Sequence, residues 1–456
     1  MTDQPNFIFV VIDTLRKDYA KPIEELLKEF DFITYDRAIA PSPWTSPSHA
    51  SMFTGLYPLE HGTHETRSRK DWDVRFKGDN ILISHLKNLG YTTFLISANP
   101  HITPRFGFKG FDHFFDSWNG PTHISVLKSN EEKRVFDLLK KNDFSRRETA
   151  LELLRMRDYE LFVKTIFHHI TRKVLDKPYQ YVSSRLRGYP MDKGIENATE
   201  YIKNSRKIMR SPFFLFINLM EVHEPYYWGE NSHNALLENL KTNASISPKL
   251  LKKWKELYPK EVEYVCKKLK SFINVLKEQN IFDNTLIIVT SDHGQLLGEH
   301  GRISHGTFLY DELLNVPLLI KYPAGCNTKI SPIETEYISI KQLAPFIINI
   351  AEGKSPKKDI LYSRVVFSES YGIQNQYEEP KTALEKKNII HLEKYRIAIF
   401  YKSYKGVFNV NDWRFEEVVS YESSVEISNN IREKLEEEVI KFLKTNLVLK
   451  KLRGQI

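Results

Sequence analysis

Residues 40–62 read A-P-S-P-W-T-S-P-S-H-A-S-M-F-T-G-L-Y-P-L-E-H-G, and the rest of the chain is arranged around them. Pro41, Pro43 and Pro47 hold the approach extended, because each ring fixes its own φ and restricts the residue before it. From Pro47 the residues are small and lead to Gly55, which predicts a short helix with proline in its first turn and glycine at its end. Thr45 is then a hydroxyl presented just before a helix N-terminus, where unpaired N–H groups and the helix dipole favour an anion. A nucleophile beside an anion pocket suits ester hydrolysis at phosphorus or sulfur. A proline-rich turn capping a core helix accounts for the same residues without any chemistry.

The chain has 456 residues, 41% hydrophobic and 27% charged, enough for a large core in one big domain with an appendage, or in two domains. Cys266 and Cys326 make no disulfide framework and point to a reducing compartment. The start, M-T-D-Q-P-N, lacks the basic segment of a signal peptide, and Phe7–Ile12 is too short for its apolar region. No run approaches the roughly 18 apolar residues of a membrane span. The expectation is a cytoplasmic protein. The net charge of +8 is uneven: residues 131–210 hold 19 Lys/Arg against 12 Asp/Glu, or +7. Such a segment can meet an acidic substrate, nucleic acid or a membrane surface, and is more often a solvated helical face. No specific nucleic-acid partner is expected.

Outward from residues 40–62, Asn6–Ile12 is a mostly apolar run, which fits a strand buried on both faces of a parallel sheet, with Asp13 at its C-terminal end. Ile23–Phe30 reads as a short helix, and Asn80–Leu89 as another that stops at Gly90 before a strand over Thr92–Ser97. This alternation predicts an α/β, doubly wound, mostly parallel sheet flanked by helices. Asn99–Asp116 is an aromatic loop. Residues 131–176 keep roughly helical apolar spacing at Leu151, Leu154, Tyr159, Phe162, Val163 and Ile166, so a helical insertion over the sheet is placed at about 121–210. His168 and His169 are adjacent on a helix and face different ways, which argues against a shared ion. Ile195–Met209 and the Lys-rich Lys249–Glu278 are helices; Phe213–Leu219, Leu286–Thr290 and Val316–Tyr322 are strands. The catalytic domain is set at 1–355. Residues 356–456 form a small C-terminal α+β subdomain, with short strands at Val365–Glu369, Arg396–Tyr401 and Val407–Asn411 and a terminal helix over Ser428–Leu447.

Ligands collect at the C-terminal ends of strands in such sheets, and Asp13, Thr45, His223, Asp292, His293 and His305 all fall at those ends. Carboxylates and imidazoles brought together there make a nitrogen/oxygen site for a divalent ion, Zn²⁺ or Mn²⁺ by preference, with Ca²⁺ or Mg²⁺ as alternatives. Singly, each has a plain explanation: Asp13 caps a helix starting at Thr14, and His223 is a hydrogen-bonded loop histidine.

Thr45-Ser46-Pro47-Ser48-His49, followed by Ala50-Ser51-Met52-Phe53-Thr54-Gly55, resembles the sulfatase signature, Cys/Ser-x-Pro-Ser-Arg with small residues and Thr-Gly. Ser291-Asp292-His293-Gly294 with Gly298-Glu299-His300-Gly301 resembles the family's second metal segment and is the most specific match. Asp13-Thr14-Leu15-Arg16 resembles the first, with Thr14 where many sulfatases carry a second aspartate. The resemblance to sulfatase-like members of the alkaline phosphatase superfamily extends along most of the chain; for the C-terminal tail it is architectural only. It implies that Asp13, Asp292, His293 and the Thr45 hydroxyl ligate the metal and that His223 contacts the anionic ester. His305 falls where sulfatases usually have lysine. Thr45 stands where sulfatases convert a cysteine to formylglycine, and His49 replaces the signature arginine.

These residue types imply attack by Thr45, with a metal lowering its hydroxyl pKa. His223 and His305 are donors to the group transferred, and one of them protonates the leaving oxygen. Because threonine cannot become formylglycine, a phosphoester is the favoured substrate over a sulfate ester. A transferase of the phosphoethanolamine/phosphoglycerol kind and a catalytically silent anion-binding protein are the other readings.

Overall fold

The computed structural model describes residues 4–120, 125–142, 145–227, 230–326, 329–422 and 427–452. Those residues divide into two compact units. One comprises Met1–Trp118, Asp192–Tyr226 and Asn231–Ile456; the other comprises Asn119–Met191 with Tyr227–Glu230. The helix Ile195–Asn204, assigned from the sequence to the insertion at 121–210, belongs to the first unit.

The first unit is built on a seven-stranded sheet. In spatial order its strands are Ile33–Thr34, Leu318–Lys321, Thr285–Thr290, Asn6–Ile12, Phe213–Leu219, Thr92–Ser97 and His113–Asp116. Asn6–Ile12 lies at the centre, parallel to Phe213–Leu219 on one side and Thr285–Thr290 on the other, and every one of its residues is buried. Burial on both faces is why this strand shows no alternation in the sequence. Leu318–Lys321 enters antiparallel beside Thr285–Thr290, so the sheet is mixed at that edge. The expected strand over Val316–Tyr322 is two: Asn315–Val316 pairs with Ala38–Ile39 in a separate small sheet, and Pro317, which has no N–H to give a ladder, stands between them.

The reading of Asn99–Asp116 as loop is corrected at its end, where His113–Asp116 forms the edge strand parallel to Thr92–Ser97. Its phenylalanines alternate in exposure, as an edge strand requires. The helix Pro248–Glu278 carries Trp254, Val265, Leu269, Ile273 and Leu276 on its buried face as expected, while Leu257 is only half-buried.

Beyond the large sheet, a four-stranded antiparallel sheet runs Val365–Ser370, Arg396–Tyr401, Tyr404–Asn409 and Arg414–Ser420. The last strand is absent from the sequence reading, because none of its residues is fully buried and its pattern is polar. The terminal helix, Asn429–Leu452, packs Leu435, Val439 and Phe442 against Phe367, Ile397, Ile399 and Tyr57. That contact ties the tail to the segment that follows the Thr45 helix.

The second unit contains the helices Ser129–Lys141, Arg146–Arg155 and Tyr159–Arg187. Its small core is Leu127, Val135, Leu153 and Leu161. Leu151, Leu154, Tyr159, Val163 and Ile166, whose spacing predicted helices, do lie on helices, and all five are exposed.

Candidate active site

Thr45 is the first residue of the helix Thr45–Thr54, with Trp44 as N-cap, so it sits inside the helix start and not just before it. Gly55 closes that helix at φ 73°, a conformation open to glycine at little cost. All ten helical residues are buried, and their weak sidedness follows: a helix covered on every side needs no polar face.

Asp13 leaves the end of the central strand, and Thr14 turns the chain at φ 61°, a strained value for a β-branched residue. The turn aims the Thr14 N–H at Asp292 Oδ1, 3.3 Å away. Tyr258 on the long helix fixes it from the other side, donating to Thr14 O at 2.7 Å and accepting from Arg16 N at 2.9 Å. Arg16 reaches Glu299 Oε1 at 2.8 Å and Asp18 Oδ2 at 2.7 Å. The two motif segments that the sequence reading compared separately are therefore clamped together by the Arg16–Glu299 pair. Gly294 allows the second segment to pass close, since a Cβ there would lie 1.9 Å from Glu312 O.

The structure brings Asp13, Thr45, Asp292 and His293 together. His293 Nε2 lies 3.2 Å from Thr45 Oγ1, 3.4 Å from Asp292 Oδ2 and 3.8 Å from Asp13 Oδ1. Its Nδ1 donates to Gly294 O at 2.9 Å, which leaves the Nε2 lone pair facing the cluster. One ligand atom from each of Asp13, Asp292 and His293 falls within 4.8 Å of the others. Asp13 Oδ1 and Asp292 Oδ2 are buried with no hydrogen-bond donor. Burial, with repulsion from Asp292, pushes the Asp13 carboxyl up to about 6; burial pushes Asp292 up to about 7. Two buried carboxylates with orphaned oxygens beside an imidazole lone pair lack positive charge, and a divalent cation fits that donor set.

Asn99, which the sequence reading passed over, donates to Asp13 Oδ2 at 2.8 Å. It follows the strand Thr92–Ser97, so the strand-end rule that selected Asp13 would have found it. His49 does not take over an arginine's role toward an anion. Its Nδ1 donates to Thr45 O at 2.9 Å and its Nε2 accepts from Asn218 at 3.1 Å, and burial pushes its pKa down to about 3. It is a neutral brace within the Thr45–Thr54 helix.

His223 and His305 form a second pair beside the first group, with ring centroids 5.1 Å apart, and His305 is 4.5 Å from the His293 ring. His305 Nδ1 donates to Gln295 Oε1 at 2.7 Å; Gln295 Nε2 and Ser304 Oγ both donate to the Glu224 carboxylate. His223 Nδ1 donates to Glu224 O at 2.6 Å. Among the described residues, the second nitrogen of each ring carries no hydrogen bond. Burial opposes a charge on His223, but the Glu224 and Asp13 carboxylates raise its pKa above the ordinary value. Burial, with repulsion from His293, His223 and His101, holds His305 well below it. The two imidazoles are biased toward opposite charge states.

The His223 turn is itself held by Lys193, a fully buried lysine that donates to Glu221 O at 2.9 Å and His223 O at 2.6 Å. Glu261 Oε1 lies 3.6 Å from its Nζ. Nothing in the sequence marked Lys193, which lies in the basic segment and is brought here only by the fold.

Carboxylates, imidazoles and a hydroxyl gathered at the carboxyl edge of a doubly wound sheet, where ligands of such sheets bind, define the class, an α/β protein with a candidate active site. The model described as Sulfatase matches residues 5–353, so the chain belongs to the sulfatase family, within the alkaline phosphatase superfamily, and is an ester hydrolase. Among curated relatives it is similar to the uncharacterized sulfatase YidJ of Escherichia coli (strain K12), 23% identical over 394 residues that cover 78% of this chain and 69% of the relative. Among solved structures it resembles a sulfatase of Bacteroides thetaiotaomicron VPI-5482, with TM-score 0.60, 15% identity, and coverage of 98% of this chain and 93% of the other. It also resembles the phosphonate monoester hydrolase of Silicibacter pomeroyi, with TM-score 0.58, 14% identity, and coverage of 97% and 95%.

Proposed function

We propose that this chain is a metal-dependent esterase that cleaves a phosphoric ester or diester through Thr45 as nucleophile. The observation that carries the reading is the Thr45 hydroxyl at a helix N-terminus, 3.2 Å from His293 Nε2, beside the two orphaned carboxylate oxygens. Asp13, Asp292, His293 and Thr45 would hold the divalent ion; their oxygen and nitrogen donors suit Zn²⁺ or Mn²⁺ ahead of Ca²⁺ or Mg²⁺. When bound, the ion lowers the pKa of the hydroxyl and offsets charge on the ester oxygens.

The protein's own groups do the rest. Thr45 Oγ1, its proton given up to solvent once the hydroxyl pKa is lowered, forms a bond to phosphorus as the bond to the leaving oxygen breaks, giving a threonine phosphoester. The His223 imidazolium donates its Nε2 proton to the leaving oxygen. Neutral His305, fixed through Gln295 and Glu224, then accepts a proton from the water that hydrolyses the covalent ester. The helix N-terminus faces the transferring oxygens with unpaired N–H groups.

The preference for phosphorus rests on Thr45 itself, since a threonine cannot supply formylglycine. Neither Cys266 nor Cys326 is in a disulfide, which supports a reducing, cytoplasmic setting. The test is turnover of aryl phosphate, phosphodiester and sulfate esters by metal-loaded protein, with mass spectrometry of enzyme quenched during turnover. Phosphothreonine at Thr45 with phosphoester turnover is the expected result; strong sulfate-ester hydrolysis with little phosphoester turnover overturns the preference.

A further inference from the structure

Gln374 is 8% exposed, and its side-chain amide makes no hydrogen bond among the described residues. An amide so enclosed gives up its hydration without return unless a partner arrives. It lies directly against the residue that follows His305: a Cβ on Gly306 would stand 2.0 Å from Gln374 Oε1. Glycine takes the φ of 99° at that position at little cost, and its missing side chain is the room the amide fills.

The Gln374 carbonyl accepts from Asp71 N at 3.0 Å, which sets Asp71 and Trp72 beside it. The Asp71 side chain is 19% exposed, and its carboxylate makes no hydrogen bond among the described residues; His101 Nε2 stands 3.6 Å from its Oδ1. Trp72 covers the His101 ring, with centroids 4.4 Å apart, and keeps 39% of its own surface exposed. His101 N in turn donates to Asn99 Oδ1 at 2.8 Å, and Asn99 holds Asp13. An amide, a carboxylate and an indole from separate segments are thus tied at one end to Gly306, beside His305, and at the other to Asp13.

The cleavage steps described above use none of these three groups. What they share is the means to recognise hydroxyls on a ring. The amide offers a donor and an acceptor, the carboxylate accepts, and the indole face packs against C–H groups. An apolar alcohol would displace water and leave the amide and the carboxylate unpaired. A group with a further negative charge would meet the Asp71 carboxylate.

We propose that Gln374 and Asp71 bind hydroxyl groups on the alcohol portion of the ester, with Trp72 as its wall, so that the substrate is an ester of a neutral polyhydroxylated ring. The proposal rests on the reading of the Thr45 site as an ester hydrolase. The test takes the full chain with its divalent ion and measures inhibition by myo-inositol 1-phosphate and by cyclohexyl phosphate, against whichever aryl ester is turned over. The two rings have the same size and differ in their hydroxyls. The inositol ester should bind at least about tenfold more tightly. Gln374→Leu should cut that preference to about threefold or less, and Asp71→Asn should reduce it as well. Trp72→Ala should weaken both rings by about fivefold and keep the preference, since a ring wall reads no hydroxyls. Should Gln374→Leu fail to fold, Asp71→Asn decides alone, because a merely structural change weakens both rings equally. Equal inhibition by the two rings in the wild type overturns the proposal, as does a preference that survives both Gln374→Leu and Asp71→Asn. Failure to turn over any aryl phosphate, phosphodiester or sulfate ester sinks the catalytic reading instead, and this proposal with it.

Discussion

The sheet edge and the inserted helix break the ordinary rules of burial in opposite directions. At the sheet edge, Asp13, Asp292 and His293 are fully buried with carboxylate oxygens left unpaired. On Tyr159–Arg187, large apolar side chains stand in water. Each arrangement costs stability in the isolated chain, since an unpaired buried carboxylate and an exposed apolar side chain each forgo about 1–3 kcal/mol. Lys193, also buried, has its partners in place. Lys193 has the partners a buried charge requires, whereas Asp292 Oδ2 has none, and the proposed metal would supply one.

The sharpest break would come at Thr45. Thr45→Ala should lower turnover by about 10³-fold or more, and Thr45→Ser should retain part of it because the hydroxyl remains. Undiminished turnover by Thr45→Ala would exclude threonine and leave water as the attacker. Thr45→Cys alone should not create a sulfatase, since neutral His49 occupies the position of the signature arginine.

Lys193→Met tests the structural side of the comparison. It strips the donor from two carbonyls and the counter-charge from Glu261, and should cost about 3–5 kcal/mol of stability in urea denaturation. A loss below about 1 kcal/mol would mean that this buried charge is no more structural than Asp292.

Chelation tests the ligand side. Removing a divalent ion present at a hundredfold excess over its Kd should lower stability by about 2.7 kcal/mol, read as a fall in melting temperature. Asp292→Asn should abolish that chelator response while leaving the apo protein folded, because it removes one of two facing carboxylates. A metal-replete Asp292→Asn protein would falsify the assignment of Asp292 as a ligand.

The most gradual effect lies in the pH dependence of stability. Glu369 is buried between Tyr371 and Tyr395, and burial pushes its carboxyl up to about 7. Its folded pKa exceeds its unfolded value, so the folded state binds the extra proton. This contribution is present in acid and is lost as pH rises from about 4.5 to about 7, with a slope of at most about 1.4 kcal/mol per pH unit. Glu369→Gln should flatten that part of a stability–pH profile; an unchanged slope would show that the tyrosine hydroxyls already satisfy the ionised form.

Much of this was legible in the chain alone, for a physical reason. A strand buried on both faces must be apolar throughout, so Asn6–Ile12, Phe213–Leu219 and Thr285–Thr290 announce the parallel sheet, and the polar residues that end them fall at its carboxyl edge. Proline at the start and glycine at the close of Thr45–Thr54 are local constraints that need no partner to be read. The strand Arg414–Ser420 escaped notice because its pairing, not its composition, makes it a strand.

What only the tertiary structure decided is which groups meet, and which find no partner. Helical spacing shows that Val163, Phe167 and Ile170 share a side, yet spacing is the same whether that side faces a core or solvent; exposure alone distinguishes the two. Lys193 looks like one more cation in a basic segment until the fold closes it against the His223 turn. His49 looks like a conservative stand-in for a cation until its two hydrogen bonds fix it as neutral. Local pattern follows from short-range sterics and solvation, which each residue carries with it. Charge state and partner depend on distances across the fold, and those exist only once the chain has closed.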